Sequence, residues 1–584
     1  MDIKINRRFQ EKDLPDMNTL LGEGKKLAAS VTIGQTLFMR THQVKSEAEY
    51  KRKMMSAKHI MKHSHIGWNS VAATGDGFEK IYNALQAAGS YVDRFGVCLD
   101  GTMGVPEQYR GSFQVGTGQV YRNADEWKLL GQRVPVQVHM GDHMIGSLNA
   151  VENTCNALSA GVTTIGNISH YYSYEYPGLD MELDRTVQFC ESVALMGNFR
   201  EQGTILHSNL DDGFGAQFHD LANLTGWAQL ERYVVEELLG GRMNHCFGNL
   251  FSDPMMRIIF NKAMWNINTF QTPGSMIYGN TIDFGTDIPH NYGALSSFVL
   301  ADIIGQMKYP SGHAVCPIPV TEAMRVPSAQ EIIDAHHTVD AMIEKAPYYA
   351  SFIDWGRVEA QADLLVASGN TFFERVLNCL DDLGTDITHA GQVIAMLKAI
   401  GTEQLEMHFG AGRRDAFAMR GRIPVCPTGI IKTITGIQDA LTAKIPDLDT
   451  KPLTGINVVI GATDIHVFGK EVVKNIIKMA GGTVFDLGDA TSVDEFVDTA
   501  IETESRVIAV STYNGIAYSF ATDLLAKLRE HHMEDVRVLM GGRLNEAMPG
   551  NDLPEDVSDR LVELGINVDN NAEKIVDLIL ACKT

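Results

Sequence analysis

The residues best equipped for chemistry lie in Asp464-Ile465-His466-Val467-Phe468-Gly469. An imidazole stands there two residues after a carboxylate. That pairing suits metal ligation: one ring nitrogen binds the metal and the other donates to the acid, which fixes the tautomer and raises ligand basicity. A histidine after a strand is more often a satisfied loop residue, so the surrounding elements decide between the two readings. The apolar run Ile456–Gly461 precedes the motif and reads as a buried strand, and the helix-like Lys470–Ala480 follows it. This places the imidazole at the carboxyl end of a strand, where open α/β sheets bind ligands.

Three more apolar runs follow, Thr483–Gly488, Val507–Val510 and Val536–Met540, alternating with helical segments Val493–Glu504, Ile516–His531 and Glu573–Ala581. Strand and helix alternating at this spacing predict a doubly wound parallel sheet. Ser511 and Tyr513 follow the third run, and Gly541 and Gly542 end the fourth. Asp464, His466 and Gly469, then Ser511, then Gly541-Gly542, in this order, resemble the cobalamin-binding domain of methylmalonyl-CoA mutase, glutamate mutase and methionine synthase, from about Lys451 to Thr584. One position departs from that family, where Tyr513 replaces the usual leucine. The resemblance implies that His466 is the lower axial ligand of cobalt, held by Asp464. It implies that Gly469 lets the chain pass close to the corrin, and that Ser511 and Tyr513 line the pocket of the displaced base. Gly541 and Gly542 would admit the nucleotide tail.

Upstream, the chain reads as an N-terminal helical extension (1–60), a barrel (61–400) and a linker (401–452) before the cobalamin domain (453–584). Eight candidate strands, His63–Asn69, Tyr91–Asp100, Val134–Asp142, Gly161–Ser169, Gly203–Leu210, Met243–Asn249, Ile267–Thr272 and His313–Pro319, alternate with helical segments. That count predicts a (β/α)8 TIM-type barrel, whose active site lies at the carboxyl ends of the strands. His65, Asn69, Asp100, His139, Asp142, Asn167, His207, Asn209, His245, Asn249 and Gln271 fall there, and a tyrosine-rich loop, His170–Tyr176, follows the fourth strand. A metal site built from His139, Asp142, His207 and His245 ranks lower, because no tight His-x-His pair anchors it. Val136–Asp142 with the following strand and tyrosine loop is similar to the catalytic component of glutamate mutase over some sixty residues. There His139 stands about where an arginine grips the substrate, and Asn167 near the place of a glutamate. The expected substrate-lining residues are His139, Asn167, Tyr174 and Tyr176, with a carboxylate contact from Arg94, Arg110, Arg122 or Arg133.

The chain has 584 residues, a net charge of -23 and eight scattered cysteines without a Cys-x-x-Cys pair. The acidic balance argues against nucleic acid or a membrane surface as partner. No apolar run approaches a membrane span and no signal core opens the chain, so a cytoplasmic enzyme with reduced thiols is expected. A barrel followed by a cobalamin domain on one chain resembles the adenosylcobalamin-dependent carbon-skeleton mutases of the 2-methyleneglutarate and glutamate mutase type. The resemblance implies an isomerase that uses adenosylcobalamin on a small carboxylic acid and assembles as a homo-oligomer, dimer or tetramer. Corrinoid methyl transfer and a non-catalytic cobalamin carrier or sensor are the alternatives. Methyl-transfer proteins usually carry a helical cap before the cobalamin domain, whereas the Pro-punctuated Arg422–Pro452 stands here.

Overall fold

The computed structural model describes residues 3–66, 68, 70–113, 116, 118–176, 178–415, 418–429, 431–432, 436, 451–464, 468–489, 491–513, 515–546, 555–569 and 574–581. His466 and Asn69, both singled out from the sequence, lie outside the described residues. The chain divides into two compact units. The first comprises Met1–Tyr172, Asp180–Glu322 and Pro327–Cys426, and the second Ser173–Leu179, Ala323–Val326 and Pro427–Thr584.

The first unit is built on short parallel strands. β1 (His63–His65), β2 (Arg94–Val97), β3 (Gln137–Met140), β4 (Thr164–Ile165), β5 (Ile205–Asn209) and β6 (Met243–Cys246) form one sheet in sequential order. β7 (Met276–Ile277) and β8 (Ala314–Val315) form a separate parallel pair. Isolated parallel bridges join Phe247 to Ile277 and Lys62 to Val315. The single eight-stranded sheet expected from the sequence is thus a six-stranded sheet and a two-stranded one. The expected seventh strand is corrected: Ile267 ends the helix Pro254–Ile267, and the strand lies in what read as the following loop.

A helix follows each of these strands, from Val71–Ala87 after β1 to Ala329–Tyr349 after β8. Local sequence explains their ends. Ser328 and Glu331 form a capping box in which each side chain satisfies the other residue's backbone N–H. The helix Trp355–Asp382 buries Val358, Ala362, Leu365, Gly369, Phe372, Val376 and Leu380, an apolar stripe at helical spacing. Gly369 meets Gly226 of the helix Leu221–Arg232, and a Cβ on Gly369 would lie 2.9 Å from the Gly226 nitrogen. Glycine at both positions lets the two helices approach closely.

Two sequence expectations change here. Residues 1–60 are part of the first unit, with Glu47 and Lys51 of the helix Glu47–Ser56 fully buried. The first half of the expected linker also folds into this unit, as the helix Thr402–Phe409 and the hairpin of β9 (Arg413–Arg414) and β10 (Arg422–Ile423).

The second unit holds a five-stranded parallel sheet of β11 (Asn457–Ala462), β12 (Thr483–Asp486), β13 (Val507–Thr512), β14 (Arg537–Gly542) and β17 (Asn567–Val568), in the order β12-β11-β13-β14-β17. A small antiparallel pair, β15 (Asn545–Glu546) and β16 (Glu555–Asp556), sits beyond β14 in sequence. Val459, Ile508, Val510, Val538 and Met540 pack against Phe496, Ala517, Ala521 and Leu524 in one core. This is the doubly wound Rossmann-like arrangement, with its switch point between β11 and β13. Among the described residues, no helix is long and apolar enough to cross a membrane.

Candidate functional site

The carboxyl edge of the second unit's sheet gathers most of the sequence motif. Strand register sets Ala462 beside Ser511, Ser511 beside Gly541, and Thr512 beside Gly542. The Thr463 amide donates to the Ser511 carbonyl at 2.9 Å, and its hydroxyl donates to Thr512 Oγ1 at 2.9 Å. Asp464 is buried, and its Oδ2 accepts the Tyr513 amide at 2.8 Å. The carboxylate expected to orient His466 is therefore itself pinned to the end of β13. Gly469 opens onto the same strand, and a Cβ there would lie 3.6 Å from Ser511 Oγ.

The far wall is equally tight. Gly542 has φ +100°, and a Cβ on it would overlap the Thr512 carbonyl oxygen. Only glycine fits that conformation and that approach. Tyr513 accepts a hydrogen bond from Arg543 Nη2 at 2.9 Å, and the guanidinium lies 4.1 Å from the ring centroid. The Tyr513 ring is thus held against Arg543 at this edge. Buried Arg543 Nε and Thr491 Oγ1 have no hydrogen-bond partner among the described residues. Unpartnered polar atoms at this sheet edge fit a ligand rich in amides and phosphate.

The helix Phe468–Met479 is locked to the sheet by charge. Lys470 Nζ and Lys474 Nζ lie 2.6 and 2.7 Å from the two carboxylate oxygens of Asp486, and Lys474 also reaches Glu471 Oε1 at 2.6 Å. Burial works against the charge on Lys470, but Asp486 and Glu471 more than offset it and raise its pKa.

The first unit carries a polar network of its own. Arg94 is buried at the start of β2; Nε donates to Glu47 Oε1 at 2.7 Å, Nη1 to His63 Nδ1 at 3.1 Å and Nη2 to Ser275 Oγ at 3.0 Å. Ser275 Oγ lies 2.6 Å from His207 Nδ1, and His207 Nε2 lies 2.6 Å from Asn209 Oδ1. Since the amide oxygen can only accept, His207 carries its proton on Nε2 and takes the Ser275 hydroxyl on Nδ1. The Asn209 amide donates to Asn167 Oδ1 at 3.0 Å, and Asn167 Nδ2 lies 3.5 Å from Asp142 Oδ1. Asp142 also faces His170 Nε2 at 3.3 Å, while His65 Nε2 lies 3.0 Å from Cys98 Sγ.

Burial decides the charges. It holds His207 and His143 down at about 3, with Arg94 and His170 respectively adding to the effect. His139 falls well below the ordinary value for the same reason, Arg94 again contributing. Burial pushes the Asp142 carboxyl up, but His170 and the Cys98 thiol outweigh it and the group stays ionised. Near neutral pH the strand ends therefore offer the Asp142 carboxylate and the neutral imidazoles of His139, His143 and His207, suited to orienting a polar molecule and holding its protons. His63 Nε2 and His65 Nδ1 are buried without hydrogen-bond partners among the described residues, and a Cβ on Gly96 would lie 2.9 Å from each. Among the described residues, no group of three His, Cys, Asp or Glu side chains can hold a metal ion.

Of the substrate-lining residues expected from the sequence, His139 and Asn167 lie in the first unit. His139 Nδ1 donates to the Thr164 carbonyl at 3.0 Å, and its ring centroid lies 4.6 Å from that of His207. Tyr174 and Tyr176 belong to the second unit, with ring centroids 5.0 Å apart. Three of the four candidate arginines are engaged: Arg94 with Glu47, Arg122 with Glu126, and Arg133 with Asp76 and Glu79. Arg110 differs. Its Nε donates to the Val105 carbonyl at 3.2 Å, and its Nη2 is buried without a partner among the described residues. Sequence reasoning missed Glu47 and Lys51. Its available clue was the Glu47–Lys51 spacing of i, i+4 beside an arginine that opens an otherwise apolar strand.

Residues 456–559 match the B12 binding domain family. Curated relatives include the glutamate mutase sigma subunit of Carboxydothermus hydrogenoformans, 32% identical over 15% of this chain and 66% of that protein. The glutamate mutase sigma subunit of Fusobacterium nucleatum is 26% identical over 19% of this chain and 80% of that protein. Dimethylamine corrinoid protein 1 of Methanosarcina mazei is 28% identical over 18% of this chain and 52% of that protein. The chain thus spans about two thirds of the first of these relatives and about half of the corrinoid protein. A solved cobalamin-binding protein from Desulfitobacterium hafniense DCB-2 is 19% identical, with a TM-score of 0.21 over 36% of this chain and 90% of that chain, too low to carry an argument. The chain carries a B12-binding domain, and cobalamin is the cofactor this supports.

Proposed function

We propose that this cobalamin-binding chain is an adenosylcobalamin-dependent mutase that rearranges the carbon skeleton of a small dicarboxylic acid of the glutamate or 2-methyleneglutarate kind. The carrying observation is a B12-binding domain on one polypeptide with an eight-strand α/β unit whose strand ends gather Asp142, Asn167, Asn209 and neutral histidines. The bridges Phe247–Ile277 and Lys62–Val315 support reading those strands as a closed (β/α)8 barrel, the setting in which strand-end residues do chemistry. The likeness to glutamate mutase sigma subunits supports the mutase class.

In this reading His466 ligates cobalt, Asp464 orients it, and Gly469, Ser511, Tyr513, Gly541 and Gly542 form the slot. Bound adenosylcobalamin would supply the radical chemistry, which no side chain of this protein provides. The chain's own residues do the rest. Arg110, on the segment after β2, has a guanidinium held by Val105 at Nε and without a partner at Nη2 among the described residues, suited to a substrate carboxylate. Asn167, fixed by Ser169, Asn209 and Asp142, offers an amide of set orientation. His139 supports this floor as a neutral imidazole.

Anaerobic incubation with adenosylcobalamin and a panel of small acids, followed by electron paramagnetic resonance, tests the proposal. A cobalt(II)-coupled radical signal with one dicarboxylate is expected. His139→Ala and Arg110→Gln should impair turnover and leave cobalamin uptake intact. The likeness to dimethylamine corrinoid proteins favours a second reading, methyl transfer. Demethylation of methylcobalamin by an added methyl acceptor, with no radical signal from any acid, would establish that reading instead.

A further inference from the structure

A cavity of about 750 Å³ in the first unit plays no part in the proposed reaction. Its walls are cationic. Arg375 comes from the helix Trp355–Asp382, His408 from the helix Thr402–Phe409, and Arg413, Arg414 and Arg422 from the β9–β10 hairpin. Among the described residues only one acid, Asp382, lines it, in a chain whose net charge is -23. Ile3, Leu383 and Phe409 add an apolar wall.

The hairpin sets Arg414 directly opposite Arg422. Like charges facing each other across two strands are destabilising unless something neutralises them. Arg422 is fixed, donating to the carbonyls of Met407 at 2.9 Å, His408 at 2.7 Å and Gly412 at 2.9 Å. Arg375 donates to the Gly410 carbonyl at 2.7 Å. Arg413 has only Asp415 at 3.8 Å, and exposed Arg414 has no hydrogen bond or ion pair among the described residues. The guanidiniums are thus partly positioned by backbone and left short of counter-charge. Burial, then Arg414, lower the pKa of both His408 and Arg422, so both bear the cost of that unneutralised cation.

We propose that this cavity binds a nucleoside diphosphate, its phosphates on Arg375, Arg413 and Arg414 and its base against the apolar wall. The volume suits a ligand of that size, and planar forked donors match phosphate oxygens two at a time. The proposal does not depend on which reaction the chain performs.

Isothermal titration of the full chain, preloaded with hydroxocobalamin in phosphate-free buffer, tests it with ADP, inorganic pyrophosphate and adenosine as probes. ADP should bind at one site and weaken as salt rises, and pyrophosphate should compete with it. Arg414→Gln should weaken ADP by about tenfold or more, the scale of one lost charge-assisted fork. Asp382→Asn, which removes the lining acid, should tighten it. The proposal is overturned if neither ADP nor pyrophosphate binds, if adenosine binds as tightly as ADP, or if Arg414→Gln leaves the affinity unchanged. Because Arg414 is exposed and faces a like charge across the hairpin, the variant should melt no lower than the wild type, so a weakened affinity reads on the cavity.

Discussion

Replacing Gly542 with alanine puts the proposed cobalamin edge under direct test. Gly542 has φ +100°, a conformation that costs an L-residue about 1–3 kcal/mol. The new Cβ would also overlap the Thr512 carbonyl oxygen and lie 3.3 Å from both Thr512 C and N. These are backbone atoms of the neighbouring strand and cannot rotate away. The β13–β14 ladder must open at this pair, which endangers the 2.7 Å hydrogen bond from the Arg543 amide to the Thr512 carbonyl, a further loss of about 1 kcal/mol. The sum is about 2–4 kcal/mol of stability in the second unit. If half of that strain is relieved by widening the slot, hydroxocobalamin affinity falls by about tenfold, since tenfold corresponds to about 1.4 kcal/mol. Gly515→Ala is the control. Its φ is +80°, but the nearest atom a Cβ would meet is Asn545 Oδ1 at 4.0 Å, so backbone strain alone acts, at about 1 kcal/mol. Urea unfolding and absorbance titration with hydroxocobalamin read the two quantities. Equal losses in the two variants, or wild-type cobalamin affinity in Gly542→Ala, would refute the assignment of this edge.

Three further outcomes are expected. Glu47→Gln leaves the buried Arg94 guanidinium without its counter-charge and should cost about 3–5 kcal/mol in urea unfolding; a loss below about 1 kcal/mol would show the pair to be inconsequential. Burial lifts the Glu231 carboxyl to about 8, so near neutral pH it is protonated and donates to His245 Nε2 at 3.0 Å. The folded value lies above the ordinary 4.5, so its stabilisation is complete below that value and is lost as pH rises through about 8. Glu231→Gln keeps the donor and cannot ionise, so its melting temperature should vary less than that of the wild type between about pH 6 and about pH 9, and parallel curves would contradict this. Finally, His466→Gly should abolish nitrogen hyperfine coupling from a protein imidazole in the cobalt(II) spectrum; its persistence would assign the ligand elsewhere.

The second unit was largely legible because its strands are continuous apolar runs closed by glycine or serine. Val507–Val510 and Val536–Met540 fall inside β13 and β14 apart from one residue, and the two-residue β15, β16 and β17 escaped. In the first unit the strand-end residues of β1 to β6 were found, but β7 was placed nine residues early. Ile267 and its neighbours are apolar because they finish a helix, and a two-residue strand leaves no periodicity to read. The floor of the first unit was hidden for another reason. Glu47 and Lys51 look like a solvated helical pair, and only the fold turns them inward, Glu47 onto Arg94 and Lys51 Nζ onto the carbonyls of Gly274, Ser275 and Gly312. Pairing across that much sequence leaves no local trace beyond the i, i+4 spacing of Glu47 and Lys51.

The chain of contacts from Glu47 through Arg94, Ser275 and His207 to Asn209 bears on how this protein can diverge. Each member bonds its neighbours, so replacing one of the buried members strands a donor or a charge away from water. Stepwise drift is therefore blocked along the whole chain, and only a concerted exchange of several positions would pass. Descendants with new substrates should accordingly vary in the segments after the strands while inheriting the same basement, and directed evolution of this scaffold would do best to leave those five positions out of its libraries.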